Sequence, residues 1–104
     1  MRITTDREDP GLRKIEPSGM QEKYLVLSDE ERTKGFVRPF RDSYVHLKCG
    51  TETRMGRAIS ETYARDPFFY GGTFCCACGK HFPLINPDGS LAFTWTLDGE
   101  GVGS

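Results

Sequence analysis

His46-Leu47-Lys48-Cys49-Gly50, followed after residues 50–74 by Cys75-Cys76-Ala77-Cys78-Gly79-Lys80-His81-Phe82, is the part of the chain whose reading decides its fold. Each stretch places two soft metal-ligand types at positions i and i+3 with a glycine directly after the second. That spacing suits a tight turn with both side chains pointing to one side. The trailing glycine supplies a positive φ that a Cβ would penalise. One such turn is half a site. Two supply His46, Cys49, Cys75 and Cys78, the N/S donor set of a tetrahedral structural Zn²⁺.

The rest of the composition makes a staple of this kind useful. The chain has 104 residues, of which 37% are hydrophobic and 28% charged. It has room for one small domain with a lean core, and small lean domains often need a metal or covalent cross-link. No apolar run approaches the ~18 residues of a membrane-spanning helix, and Met1-Arg2-Ile3-Thr4-Thr5-Asp6 lacks the apolar stretch of a secretory signal. The expectation is a cytoplasmic protein without a membrane partner. In such a reducing compartment closely spaced cysteines serve as metal ligands more often than as disulfides. The net charge of −1 is unevenly spread: residues 1–34 carry −1, residues 35–81 carry +3 and residues 82–104 carry −3.

Working outward from the two turns, Ser43-Tyr44-Val45-His46-Leu47-Lys48 reads as a strand, and Phe36-Val37-Arg38-Pro39-Phe40 as an extended segment broken by proline. Met55, Ala58, Ile59, Thr62 and Tyr63 recur at helical spacing and predict a short amphipathic helix between the turns. Pro67 ends it near Arg65-Asp66. His81–Leu84 and Leu91–Trp95 flank Asn86-Pro87-Asp88-Gly89 and predict a terminal hairpin. Upstream, Tyr24-Leu25-Val26-Leu27 predicts a short strand, and Ser28 with Glu31 three residues on predicts a capped helical turn. The division expected is a flexible N-terminal arm over 1–34, a metal-binding domain over 35–97 and a flexible tail over 98–104. Residues 1–20 offer few apolar side chains and are expected to be dispensable for folding.

The HxxCG and CxxCGK turns resemble those of the zinc-ribbon and zinc-knuckle families, in which two such knuckles at the tips of β-hairpins hold one zinc. The resemblance covers about residues 43–95, and residues 35–104 also look like small bacterial and phage zinc-binding proteins. It implies a small α+β fold of zinc-ribbon-like hairpins, here with one short helix between the knuckles, and His46, Cys49, Cys75 and Cys78 as ligands. Two departures mark the chain: His46 stands where a cysteine usually leads, and a helix stands where a plain ribbon has strands.

Cys76 and His81 remain alternative ligands. Cys76 lies one residue too close to Cys78 to share the i, i+3 turn, and His81 could stand in for His46. A Cys49 disulfide to Cys75 or Cys78 is the competing use of the thiols.

Four ligands close a zinc site, whereas a catalytic zinc keeps a position open. The H-x-E and P-C-x-x-C signature of a zinc deaminase is missing, since Leu47-Lys48 follow His46 and Phe74 precedes Cys75. The expected function is a non-enzymatic zinc-stapled module that binds a macromolecule, with protein favoured over nucleic acid. A nucleic-acid face would draw on Lys34, Arg38, Arg41, Lys48, Arg54, Arg57 and Lys80, with Phe36, Phe40 or Tyr44 for stacking. The alternative from another class is a small zinc-dependent hydrolase or deaminase using His81 or Glu61.

Overall fold

A computed structural model describes residues 2–103. Its described residues form a small α+β structure whose strands fall into three separate sheets. β1 (Arg2–Thr4) and β2 (Lys23–Leu25) pair in parallel, with a 3₁₀ turn (Pro10–Arg13) between them. That turn starts as its sequence dictates. Pro10 presets the first φ, and the Asp9 carboxylate accepts from the Gly11 N–H at 2.9 Å while holding Lys23 Nζ at 2.9 Å.

α1 (Asp29–Arg32) is the predicted capped turn, with the Ser28 hydroxyl accepting from the Glu31 N–H at 3.3 Å. β3 (Ser43–His46) lies between β4 (Glu52–Arg54) and β7 (Phe93–Trp95) in an antiparallel sheet. β5 (Gly72–Cys75) and β6 (Lys80–Pro83) form the third sheet, also antiparallel. α2 (Arg57–Arg65) connects β4 to β5. It ends where Pro67 requires, with Asp66 as its C-cap outside the helical region. No helix among the described residues is long and apolar enough to cross a membrane.

The core gathers Tyr44, Ile59, Tyr63, Phe93 and Trp95 between α2 and the β4-β3-β7 sheet. The ring of Tyr44 meets Phe93 and Trp95 edge-on at 5.4 and 6.2 Å, the favoured geometry for two aromatic quadrupoles. α2 is covered on more of its surface than its apolar stripe predicts, since Ser60 and Ala64 are buried as well. The Val37 and Arg38 N–H groups both donate to the Ala64 carbonyl, which lays the 35–40 segment over the end of the helix. The Ser60 hydroxyl satisfies itself on the Gly56 carbonyl at 2.9 Å.

Two expectations change in the folded chain. The terminal hairpin survives only at its tip, as an Ile85–Leu91 bridge and a bond from the Ala92 N–H to the Leu84 carbonyl. Beyond it the arms separate, because β6 pairs with β5 while β7 pairs with β3. The Phe36–Phe40 stretch forms no strand.

The packing also runs past both boundaries drawn from the sequence. Val26 and Val102 are core residues, with Val102 only 2% exposed and its N–H bonded to the Phe93 carbonyl. Val102 is a lone apolar residue in glycine-rich sequence, whereas Val26 belongs to the Tyr24–Leu27 run that the sequence marks as a short strand.

Candidate metal centre

Both turns quoted above lie at hairpin tips, the first joining β3 to β4 and the second joining β5 to β6. In each, the glycine N–H closes the turn on the carbonyl of the first donor residue: Gly50 on His46 at 2.7 Å, and Gly79 on Cys75 at 2.8 Å. Both glycines take the positive φ that the sequence pattern requires, +73° and +68°.

The turns face one another. One ligand atom from each of His46, Cys49, Cys75 and Cys78 falls within 4.8 Å of the other three. His46 Nδ1 lies 3.5 Å from Cys49 Sγ and 3.8 Å from Cys78 Sγ, and Cys49 Sγ lies 3.5 Å from Cys75 Sγ. A tetrahedral ion with Zn–S and Zn–N bonds of about 2.3 and 2.0 Å has edges of about 3.5–3.8 Å, so these separations are those of donors around one ion. They also exclude a disulfide, whose sulfurs stand about 2.05 Å apart; all four cysteines are free. The group could hold a metal ion, and one imidazole with three thiolates is a donor set typical of zinc.

The thiols themselves show why a cation belongs among them. Cys49 is drawn down from 9.0 to about 6, first by a hydrogen bond from the Thr51 backbone and then, against desolvation, by the Thr51 side chain, Cys75 and His46. Cys78 is pushed up to about 11, first by desolvation and then by its neighbours Cys75 and Cys49. One sulfur therefore ionises readily and another resists joining it. A divalent cation removes that conflict by neutralising the crowded charge.

Cys76 and His81, the alternative ligands, lie outside this group. Cys76 turns toward β4, where its sulfur sits 3.3 Å from Thr53 Oγ1 and 3.6 Å from the Glu52 carbonyl. His81 Nε2 is paired with the Tyr24 hydroxyl at 2.9 Å. The reason is the pleat: Cys75 and Cys76 are adjacent, so their side chains leave the strand end on opposite sides.

His46 has a setting that its sequence neighbours do not announce. It is 2% exposed, and its ring packs against both Phe82 and Phe93, with centroids at 4.5 and 4.7 Å. Phe82 follows the second turn, and Phe93 arrives from β7 across the sheet as the partner of His46. Among the basic candidates for a nucleic-acid face, Arg41 is corrected. It is 4% exposed, stacks over Trp95 at 4.8 Å and pairs with Asp98 at 3.2 Å. Arg57 pairs with Glu61 at 3.1 Å, and Lys80 lies over Phe82 at 5.4 Å, whereas Arg38, Lys48 and Arg54 are exposed.

Comparison with known proteins adds no relative: no family model, no curated protein and no solved structure matches the chain. Fold and site together define a small α+β protein with a His/Cys₃ cluster compatible with a zinc-binding domain.

Proposed function

We propose that the protein is a non-enzymatic interaction module whose zinc, held by His46, Cys49, Cys75 and Cys78, clamps two zinc-ribbon-like hairpins into a platform for a partner protein in a reducing, cytoplasmic setting. The observation that carries this reading is the set of four donors within 4.8 Å of one another, two from each hairpin tip. A closed set leaves no position for a reactive water. The side chains that a hydrolase or deaminase would need are engaged elsewhere: Glu61 with Arg32 and Arg57, each at 3.1 Å, and His81 with Tyr24.

A protein partner is favoured because the basic set loses Arg41 to burial. At the same time Phe36, Val37, Phe40 and Phe68 are exposed apolar side chains, the material of protein interfaces. Metal analysis of the purified protein tests the clamp. One zinc per chain is expected, retained in Cys76→Ser and lost or sharply weakened in Cys75→Ser; the reverse pattern removes the proposed ligand set. Binding to single-stranded DNA with a steep salt dependence would move the partner assignment to nucleic acid.

A further inference from the structure

A cleft at the edge of the core, floored by Tyr44, Ile59 and Tyr63, includes none of the four metal-site donors. Its walls are Met20 and Tyr24 from the N-terminal segment, Met55, and Ile59 and Tyr63 from α2, and Arg54 borders it. Its inner part is about 60 Å³, within about 430 Å³ of empty space that includes its mouth.

Most of its hydroxyls are already engaged. Thr73 donates to the Tyr44 hydroxyl at 3.0 Å, and Tyr44 donates to the Phe74 carbonyl. The Tyr24 hydroxyl is paired with His81, and that of Tyr70 with the Leu25 carbonyl. With these hydroxyls spent, a polar occupant would lose its water bonds without replacement, so the cleft favours an apolar one. Size narrows the choice, because a dry cavity that accepts a benzene ring is on the order of 150 Å³. An aromatic ring is too large for the inner part, while the end of a leucine, isoleucine or methionine side chain is not. Arg54 adds a charge preference: it is exposed on β4 and makes no ion pair among the described residues.

We propose that this cleft is an anchor pocket for one aliphatic side chain of an acidic segment in a partner protein, with Arg54 facing the carboxylate beside that side chain. The inference rests on the interaction-module reading and names its partner's chemistry. A buried aliphatic anchor with a charge at the rim is the usual division of labour at such contacts, the anchor supplying affinity and the charge selectivity.

The probe is the capped peptide acetyl-Glu-Glu-Leu-Glu-Glu-amide, added to the zinc-loaded full chain and followed by the methyl resonances of Met20, Met55 and Ile59. Saturable shifts at these methyls are expected. Replacing the peptide's leucine by alanine should weaken binding about tenfold or more, the equivalent of the apolar surface lost. Arg54→Glu should weaken the acidic peptide several-fold and leave its glutamine analogue unaffected. Met55→Trp, which fills the cleft from a half-buried position, should abolish the shifts at Met20 and Ile59. Absence of shifts at these methyls, tighter binding of a phenylalanine peptide, or indifference to Arg54→Glu would each overturn the pocket. Capture of a partner protein that survives both Arg54→Glu and Met55→Trp would overturn the pocket and leave the interaction-module reading standing. Loss of zinc stoichiometry in the unmodified protein would instead strike that reading.

Discussion

The two turns that supply the four donors share a local form and differ in how the rest of the chain holds them. The first grows out of β3, the central strand of its sheet, and its leading donor is buried against two phenylalanine rings. The second sits on a two-stranded hairpin and depends on the N-terminal segment for cover. Gly19 approaches so closely that a Cβ there would lie 1.8 Å from the Gly79 carbonyl oxygen, and Tyr24 bonds His81 on β6. The first turn is thus set by core packing and the second by a distant piece of backbone. Similar motifs can draw their rigidity from different sources, and neither source shows in the nearby sequence.

The largest effect that separates or unites the two turns is metal removal. The hairpins β3–β4 and β5–β6 belong to different sheets, so an ion held by the cluster would cross-link their tips beside the Thr53–Cys76 hydrogen bond. Structural zinc contributes ~10–16 kcal/mol of apparent binding energy in small zinc peptides, against the ~5–15 kcal/mol stability of an ordinary domain. A strong chelator at neutral pH should therefore shift the emission of buried Trp95 to the red and collapse the far-UV circular dichroism. Native signals after zinc loss would mean that packing alone holds both turns.

Ligand substitutions sharpen the contrast. His46→Ala removes a donor and also opens a hole beside Phe82 and Phe93, a packing loss of about 2–5 kcal/mol, whereas Cys78→Ser alters an exposed residue. In excess zinc Cys78→Ser should regain most of the wild-type melting temperature and His46→Ala should not. Equal recovery would show that the first turn is no better anchored than the second.

A smaller effect comes from the glycines. Gly19→Ala places a methyl against the Gly79 backbone at a residue with φ +92°, while Gly50, at φ +73°, has open space where its Cβ would go. Gly50→Ala should cost about 1–2 kcal/mol, the penalty of the left-handed conformation alone. Gly19→Ala should cost more and weaken zinc retention, as chemical denaturation and competitive chelation would report. Unchanged zinc affinity in Gly19→Ala would separate the N-terminal segment from the second turn, and residues 1–20 would then be dispensable as their composition suggests.

The smallest effect is titration of His81, whose pKa is lowered from 6.5 by burial. The unfolded chain binds its proton more readily than the folded one, so His81 costs no stability above the unfolded pKa, and stability falls as pH drops from there toward the lower folded pKa. His81→Gln should narrow the difference between melting temperatures at about pH 7.5 and about pH 5.5. Protonation of the metal thiolates is common to both proteins and cancels in that comparison. An unaltered difference would mean that the Tyr24–His81 pair does not feel acid.

Much of the site was legible because its chemistry is local. The i, i+3 spacing with a trailing glycine specifies a turn from covalent geometry and φ alone, and Gly50 and Gly79 adopt it. The pleat separates Cys75 from Cys76, as the spacing argument anticipated. The capped turn at Ser28 and the helix end before Pro67 were readable for the same reason, each being decided within a few residues.

What tertiary structure alone decided lies in contacts between residues far apart in the chain. Phe93 becomes a wall of the His46 site only through β3–β7 pairing, and β7 leaves its expected hairpin partner because β6 is already paired with β5. Arg41 carries a charge that reads as surface until Trp95 and Asp98 enclose it. Val26 and Val102 owe their roles to a core assembled from several elements, and Gly19 to the Gly79 carbonyl 60 residues away. The sequence by itself determined the turn chemistry and the donor set, since backbone preference and ligand type belong to single residues. The surroundings of those donors were settled by which surfaces the folded chain could bury together, a property of many residues at once that no short stretch carries.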